Sequence, residues 1–206
     1  VGNLAERAAL TIDANTLLVR TGALYHDIGK MMSPLYFVEN QVTGVNPHDD
    51  LSFEESAEII INHVLDGVKM AKKQRLPDII VDFIRTHHGT SLTRYFYNTL
   101  KNDIGEEKIN KKDFTYPGPL PFSKETAILM MADSVEAASR SLPKYDEETI
   151  NNLVENIINN QAAENQFILS KIQGQGWMGA SDSQVEGQWR WMTGPEAGTQ
   201  FWQGTG

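Results

Sequence analysis

Apolar side chains recur at spacings of three and four through most of the first 161 residues, and that period commits this part of the chain to packed α-helices. Leu17, Leu18, Thr21, Leu24, Tyr25 and Ile28 predict one buried helix face over residues 16–30. Ser52-Phe-Glu-Glu55 has the form of a capping box, opening a helix on which Ala57, Ile60, Ile61, Val64, Val68 and Ala71 share a face. Pro77 occupies a favoured first helical position, and Ile79, Ile80, Phe83 and Ile84 carry a third helix to His87. A polar, proline-bearing loop is expected over residues 102–122. After it, Ser123 opens a helix carrying Ala127, Ile128, Met131, Ala132, Val135 and Ala138, and a last helix runs over residues 146–161. The first residues, Val1-Gly-Asn-Leu-Ala-Glu-Arg7, read as the middle of a helix rather than as a basic and apolar secretory leader.

Composition changes near Gln161. All five histidines precede residue 89, whereas all four tryptophans (Trp177, Trp189, Trp191 and Trp202) follow residue 173, as do eight of the sixteen glycines. Two unrelated pieces are expected: a helical domain over residues 1–161 and a small β-rich fragment over residues 162–206. In the second, Gly176-Trp-Met-Gly179 and the alternating Gly187-Gln-Trp-Arg-Trp-Met192 are hairpin signals. With 40% apolar and 22% charged residues, the chain has the composition of a soluble globular protein, and no run reaches the roughly 20 apolar residues of a membrane helix. A net charge of −9 argues against wrapping duplex nucleic acid, which needs cationic faces. The absence of cysteine removes disulfides and thiolate metal ligands, which suits a reducing compartment.

The residues that carry chemistry are imidazoles and carboxylates. His26-Asp27 closes an apolar helix, His63 lies mid-helix, His87-His88 closes another helix, and Asp133 lies within a fourth. An adjacent imidazole and carboxylate can serve a pair of hard cations, with one carboxylate oxygen for each, and three further histidines can complete the second ion. Singly, His63 has the ordinary reading of a partly buried imidazole and Asp133 that of a carboxylate bonded to backbone. Jointly they form a set, because His-His pairs at helix ends have little structural rationale. A set without sulfur suits two iron or manganese ions better than a structural zinc.

His26-Asp27-Ile28-Gly29-Lys30 resembles the signature of the HD superfamily of metal-dependent phosphohydrolases, an all-α fold. Further segments resemble one branch of it, the seven-transmembrane HD-domain phosphodiesterases of bacteria. These are Tyr36-Phe-Val-Glu-Asn-Gln41, Asn46-Pro-His-Asp49, Phe83-Ile-Arg-Thr-His-His-Gly89, Tyr116-Pro-Gly-Pro119, Ser123-Lys-Glu-Thr-Ala-Ile-Leu129 and Ala132-Asp-Ser-Val-Glu-Ala-Ala-Ser-Arg140. The resemblance covers about residues 1–160. It implies a cytoplasmic catalytic domain, tethered to a bacterial membrane only through segments upstream of this sequence, that hydrolyses cyclic di-AMP to the linear dinucleotide. By position it makes His26, Asp27 and Asp133 ligands of one ion and His63, His87 and His88 ligands of the other, with Asp27 bridging. It also implies a histidine one helix upstream of His26, for which this sequence has no counterpart.

From such a site, two ions about 3.5 to 4 Å apart would clamp a phosphodiester oxygen and acidify a bridging water, whose hydroxide attacks phosphorus in line with the departing ribose oxygen. Lys30 could offset charge on the equatorial oxygens, or be a solvated lysine at a helix C-terminus. His48, Tyr95 and Arg140 are weaker candidates for substrate contact. His48 has the alternative of capping a turn and Arg140 that of pairing with Glu136, while Tyr95, Phe96 and Tyr97 have the alternative of belonging to the core.

Glu164-Asn-Gln-Phe-Ile-Leu169, Gly176-Trp-Met-Gly-Ala-Ser-Asp182 and Glu186-Gly-Gln-Trp-Arg-Trp-Met-Thr-Gly-Pro195 resemble the first half of a C-type lectin-like domain. That match stops before the segment in which the family places its calcium and sugar ligands. Two other functions compete with the cyclic di-AMP reading. One is another HD phosphohydrolase, acting on nucleotides or cyclic di-GMP; Gly89-Thr-Ser-Leu92 stands here where the cyclic di-GMP branch carries Gly-Tyr-Pro. The other is a catalytically dead ligand-binding module, which need not hold two ions.

Overall fold

The structure, a computed structural model, describes residues 1–41, 46–164, 180–181, 188–191 and 200–203. Two compact units divide the chain, Val1–Leu153 and Val154–Gly206.

The first unit is helical. Helix α1 (Gly2–Thr11) packs against α2 (Thr16–Tyr25), and both lie on α6 (Lys124–Ser139). Helix α3 (Phe53–Lys73) packs against α4 (Asp78–Thr86) and α5 (Arg94–Ile104). A run of 3₁₀ turns connects α2 to α3, beginning with Ile28–Met32. Residues 126–132 of α6 are all buried, so this stretch of the helix sits inside the bundle with no solvent face. Ile128 and Leu129 on this helix, and Val19 and Phe83 on its neighbours, are essentially inaccessible. Burying one such side chain contributes on the order of 1.5 to 3 kcal/mol.

Local chemistry explains the helix ends. The Ser52 capping box is present, with the side chain of Ser52 accepting from the Glu55 N–H and that of Glu55 reaching back to the Ser52 N–H. Ser123 forms the corresponding arrangement with Thr126 at the start of α6. Pro77 serves as the N-cap of α4, with an extended ψ of 143°, instead of as its first helical residue. Helix α2 stops at Tyr25 although the apolar period runs on to Ile28. Ile28 packs instead from the 3₁₀ turn against the Ala71, Val81 and Ile84 cluster.

Two glycines set how closely the elements meet. At Gly22, a methyl group would lie 2.4 Å from the Phe83 ring, so α2 rests directly on that phenyl. At Gly29 a Cβ would fall 1.8 Å from the His63 carbonyl oxygen and 2.5 Å from the Gly67 nitrogen. The 3₁₀ turn therefore crosses α3 backbone to backbone, a contact that only glycine permits.

Helix α5 is absent from the sequence expectation, which gave Tyr95, Phe96 and Tyr97 only the alternatives of substrate contact and core. Tyr97 and Leu100 on this helix close a second cluster with Ala57 and Phe114, flanked by Phe96. Part of the expected loop is held too: Thr93 N–H donates to the Phe114 carbonyl (2.8 Å) and Tyr116 N–H to the Ser91 carbonyl (2.9 Å). These bonds fold residues 114–116 back over the His87-His88 end of α4.

Helix α7 (Glu147–Glu164) runs across the division between the units. In the second unit, β1 (Ala180–Ser181), β2 (Gln188–Trp191) and β3 (Gln200–Gln203) form an antiparallel sheet in the order β1-β2-β3. Ala180 pairs with Trp191 and Trp189 with Trp202. Most of the segments that carry the lectin-like resemblance, including Trp177, lie outside the described residues.

Candidate metal centre

The bundle brings the six expected ligands together in two groups of three. His26, Asp27 and Asp133 form one, and His63, His87 and His88 the other, with the ligand atoms of each group within 4.8 Å of one another. His26 and Asp27 arrive from the end of α2, His63 from the middle of α3, His87 and His88 from the end of α4, and Asp133 from α6. Asp27 stands between the groups. Its Oδ2 lies 3.2 Å from His26 Nε2, while its Oδ1 lies 3.3 Å from His63 Nε2 and 3.5 Å from His87 Nε2.

The histidine orientations fit a cation. His26, His63 and His87 each direct Nδ1 at the backbone carbonyl three residues earlier, that of Ala23, Ile60 or Ile84. A carbonyl only accepts, so each Nδ1 carries a hydrogen and each Nε2 is directed at the centre, the arrangement found in metal-bound imidazoles. His26 Nε2 is buried without a hydrogen bond, within ion-pair distance of Asp27 (3.2 Å) and Asp133 (3.4 Å). The Nε2 atoms of His63 and His87 approach to 3.1 Å. Two lone pairs at that distance, close to a carboxylate oxygen, call for positive charge between them. The imidazole and carboxylate donors thus fit divalent ions.

Electrostatics point the same way. Burial alone would raise the Asp27 pKa, but contacts with His26, His63 and His87 outweigh it and hold the carboxyl far below its usual range. Asp133 is likewise kept low by His26 against the effect of burial. Burial and the neighbouring imidazoles push His88 well below its ordinary value, and His87 is also lowered, chiefly by burial. These rings stay neutral, as ligands must. His26 behaves differently: burial would lower it, yet Asp133 and Asp27 raise it to about 10.

The centre lies at a cavity of about 380 Å³. Lys30 lines it, with Nζ 2.8 Å from Asp27 Oδ2 and 2.6 Å from Glu39 Oε1. Arg140 lines it from α6, clamped on Glu136 by hydrogen bonds of 2.8 to 3.1 Å. His48 and Tyr95 are not among the lining residues. The His48 Nε2–H donates to the Tyr36 carbonyl (2.9 Å) and its ring packs by Tyr36 and Phe96, while Tyr95 is 73% exposed on α5.

Sequence reasoning assigned no role to Tyr116 or Glu39, and gave Glu136 only that of pairing with Arg140, which it does. Tyr116 stacks on His88 at 4.2 Å, and burial, with Asp27 and Asp133 nearby, raises its hydroxyl pKa so that it stays protonated. Its signal in the sequence was the family-like segment Tyr116-Pro-Gly-Pro119, which carried no role for the tyrosine itself. Glu136, three residues beyond Asp133, was visible from helical spacing alone.

The model of the HD domain family matches residues 1–138. The cyclic-di-AMP phosphodiesterase PgpH of Bacillus subtilis (strain 168) is 47% identical over 167 residues, covering 81% of this chain and 23% of that protein. PgpH of Listeria monocytogenes is 46% identical over 167 residues with the same coverage. The chain thus spans less than a quarter of the length of these relatives. The crystal structure of the L. monocytogenes PgpH HD domain in complex with cyclic-di-AMP matches with a TM-score of 0.76 at 44% identity, over 81% of this chain and 77% of that one.

Proposed function

The chain belongs to the HD-domain family, and from that membership we propose that it is a metal-dependent phosphodiesterase that opens cyclic di-AMP to the linear dinucleotide. The observation that carries the reading is Asp27, which turns one carboxylate oxygen toward each group of ligands. In this proposal His26, Asp27 and Asp133 hold one ion, and His63, His87 and His88 hold the other with Asp27 shared. Iron and manganese suit donors of this kind. When bound, the two ions supply Lewis-acid charge to the phosphodiester and acidify water enough for hydroxide to exist near neutral pH.

The remaining work falls to side chains. Lys30 is held ready between Asp27 and Glu39, and turning Nζ from Asp27 to an equatorial phosphate oxygen would offset charge there in the transition state. Tyr116 fixes the plane of the His88 ring by stacking on it. Buried Phe37, edge-on to His63 at 5.6 Å, keeps one side of that imidazole dry. The substrate comes to this chain from the similarity to the PgpH proteins. No helix among the described residues is long and apolar enough to cross a membrane. The proposal sets this domain on the cytoplasmic side of a longer, membrane-tethered bacterial protein.

The test is direct. Manganese-loaded protein is incubated separately with cyclic di-AMP, cyclic di-GMP and a nucleoside triphosphate, and the products are separated by chromatography. Linear di-adenylate should form fastest. Faster turnover of the triphosphate would replace this reading with a general nucleotide phosphohydrolase.

A further inference from the structure

Helix α6 presents Asp133, Glu136, Ala137 and Arg140 to the cavity. Their spacing of three, four and seven places them on one face of the helix, running outward from the metal centre. Seven residues correspond to about 10 Å of rise, and helical side chains lean toward the N-terminus, so the Arg140 guanidinium reaches back along this face toward Asp133. It meets Glu136 one turn earlier. Lys30, the other cation of the cavity, comes from a different element and sits against Asp27 itself. The wall therefore has one cation at the ligands and another two turns along α6, each sheathed by a glutamate.

Charge makes that spacing meaningful. Among the lining side chains, four carboxylates, Asp27, Glu39, Asp133 and Glu136, face two cations, Lys30 and Arg140. Without ions the lining side chains carry an excess of two negative charges and repel an anion. Two divalent ions reverse the balance to an excess of two positive charges. A cyclic dinucleotide brings two phosphodiester charges, of which the centre engages one.

We infer that Arg140 is the specificity residue for the second phosphate: released from Glu136, its guanidinium binds the phosphodiester that is not being cleaved, so the cavity selects substrates with two phosphates. This inference rests on the phosphodiesterase reading above. Planar, forked donors suit Arg for such a contact, and half of its side chain is open to solvent. Glu136 is the chief group raising its pKa, and Glu39 and Asp133, which line the same cavity, act in the same direction. Glu136 acts as a competitor for the same fork, so its removal should strengthen substrate binding.

Three proteins are compared, the wild type, Arg140→Met and Glu136→Gln, all loaded with manganese. Two quantities are read. The first is kcat/KM for cyclic di-AMP relative to that for bis(p-nitrophenyl) phosphate, which has one phosphate. The second is the calorimetric Kd of the bis-phosphorothioate analogue of cyclic di-AMP. Arg140→Met should lower the kcat/KM ratio and raise the Kd by about tenfold or more, the weight of a hydrogen-bonded charge pair. Glu136→Gln should shift both severalfold the other way. A ratio unmoved by Arg140→Met, or weakening by both variants alike, would overturn the assignment and leave the pair a surface bridge. If the wild type hydrolyses bis(p-nitrophenyl) phosphate but neither cleaves cyclic di-AMP nor binds the analogue, the phosphodiesterase reading fails first and the second-phosphate assignment falls with it.

Discussion

His63 and His87 bring their Nε2 atoms to 3.1 Å of each other while both Nδ1 atoms are bonded to backbone carbonyls. Neither ring can relieve the contact by exchanging tautomers without losing a backbone bond. The pair is built to share a positive charge, and Asp27 Oδ1 faces both rings.

Metal content should reflect that geometry. Elemental analysis of the purified protein should give up to two iron or manganese ions per chain. Asp27→Ala should lose more metal than His63→Ala, His87→Ala or His88→Ala, because a shared ligand serves both ions. Equal losses across the four variants would mean that Asp27 serves one ion only.

Lys30 and Glu39 give a second prediction. Lys30→Met should leave metal content near that of the wild type while lowering kcat by about ten- to a thousandfold, the range for removing a donor at developing charge. Glu39→Gln, which frees Lys30 from one of its two partners, should cost far less. If Lys30→Met instead strips the metal, the lysine is a support for Asp27 and its proposed contact with phosphate is wrong.

The backbone crossing at Gly29 should tolerate no side chain. A methyl group there would sit 1.8 Å from the His63 carbonyl oxygen, so Gly29→Ala must push the 3₁₀ turn off α3. A loss of roughly 3 kcal/mol, seen as a fall of about 10 °C in Tm, is expected along with weakened metal binding. A Tm within about 2 °C of the wild type would show that the two backbones part easily.

Removal of residues 162–206 tests whether the tryptophan-bearing tail is a separate piece, as its composition suggests. Metal stoichiometry should be retained and solubility improved. A Tm lowered by more than about 5 °C would instead join the tail to the helical unit in one cooperative fold.

Much of the site was legible because its residues are rare and positioned. His26-Asp27 and His87-His88 stand where an apolar period ends, and helix ends are where neighbouring elements can converge. His63 was legible only as one of the set, since nothing in α3 distinguishes it from a buried polar residue. Helix α5 was not legible: Tyr95, Phe96 and Tyr97 are consecutive, so they show no period, and Tyr97 is buried by Phe114, which lies seventeen positions later. The early end of α2 was hidden for a related reason. Ile28 keeps the apolar period of the helix but serves a different cluster from a 3₁₀ turn, and the chain can leave the helix because Gly29 lets it lie on α3. Glu39 and Tyr116 acquire their positions from loops, whose course depends on contacts remote in sequence.

The Gly29 crossing has one more consequence. Because the turn bearing Asp27 meets α3 at main-chain atoms of His63 and Gly67, the approach of Asp27 to His63 is ruled by peptide geometry. Phe83, by contrast, sets with its ring how closely α2 approaches α4, so the spacing of His26 and Asp27 from His87 and His88 follows the bulk of one phenyl group.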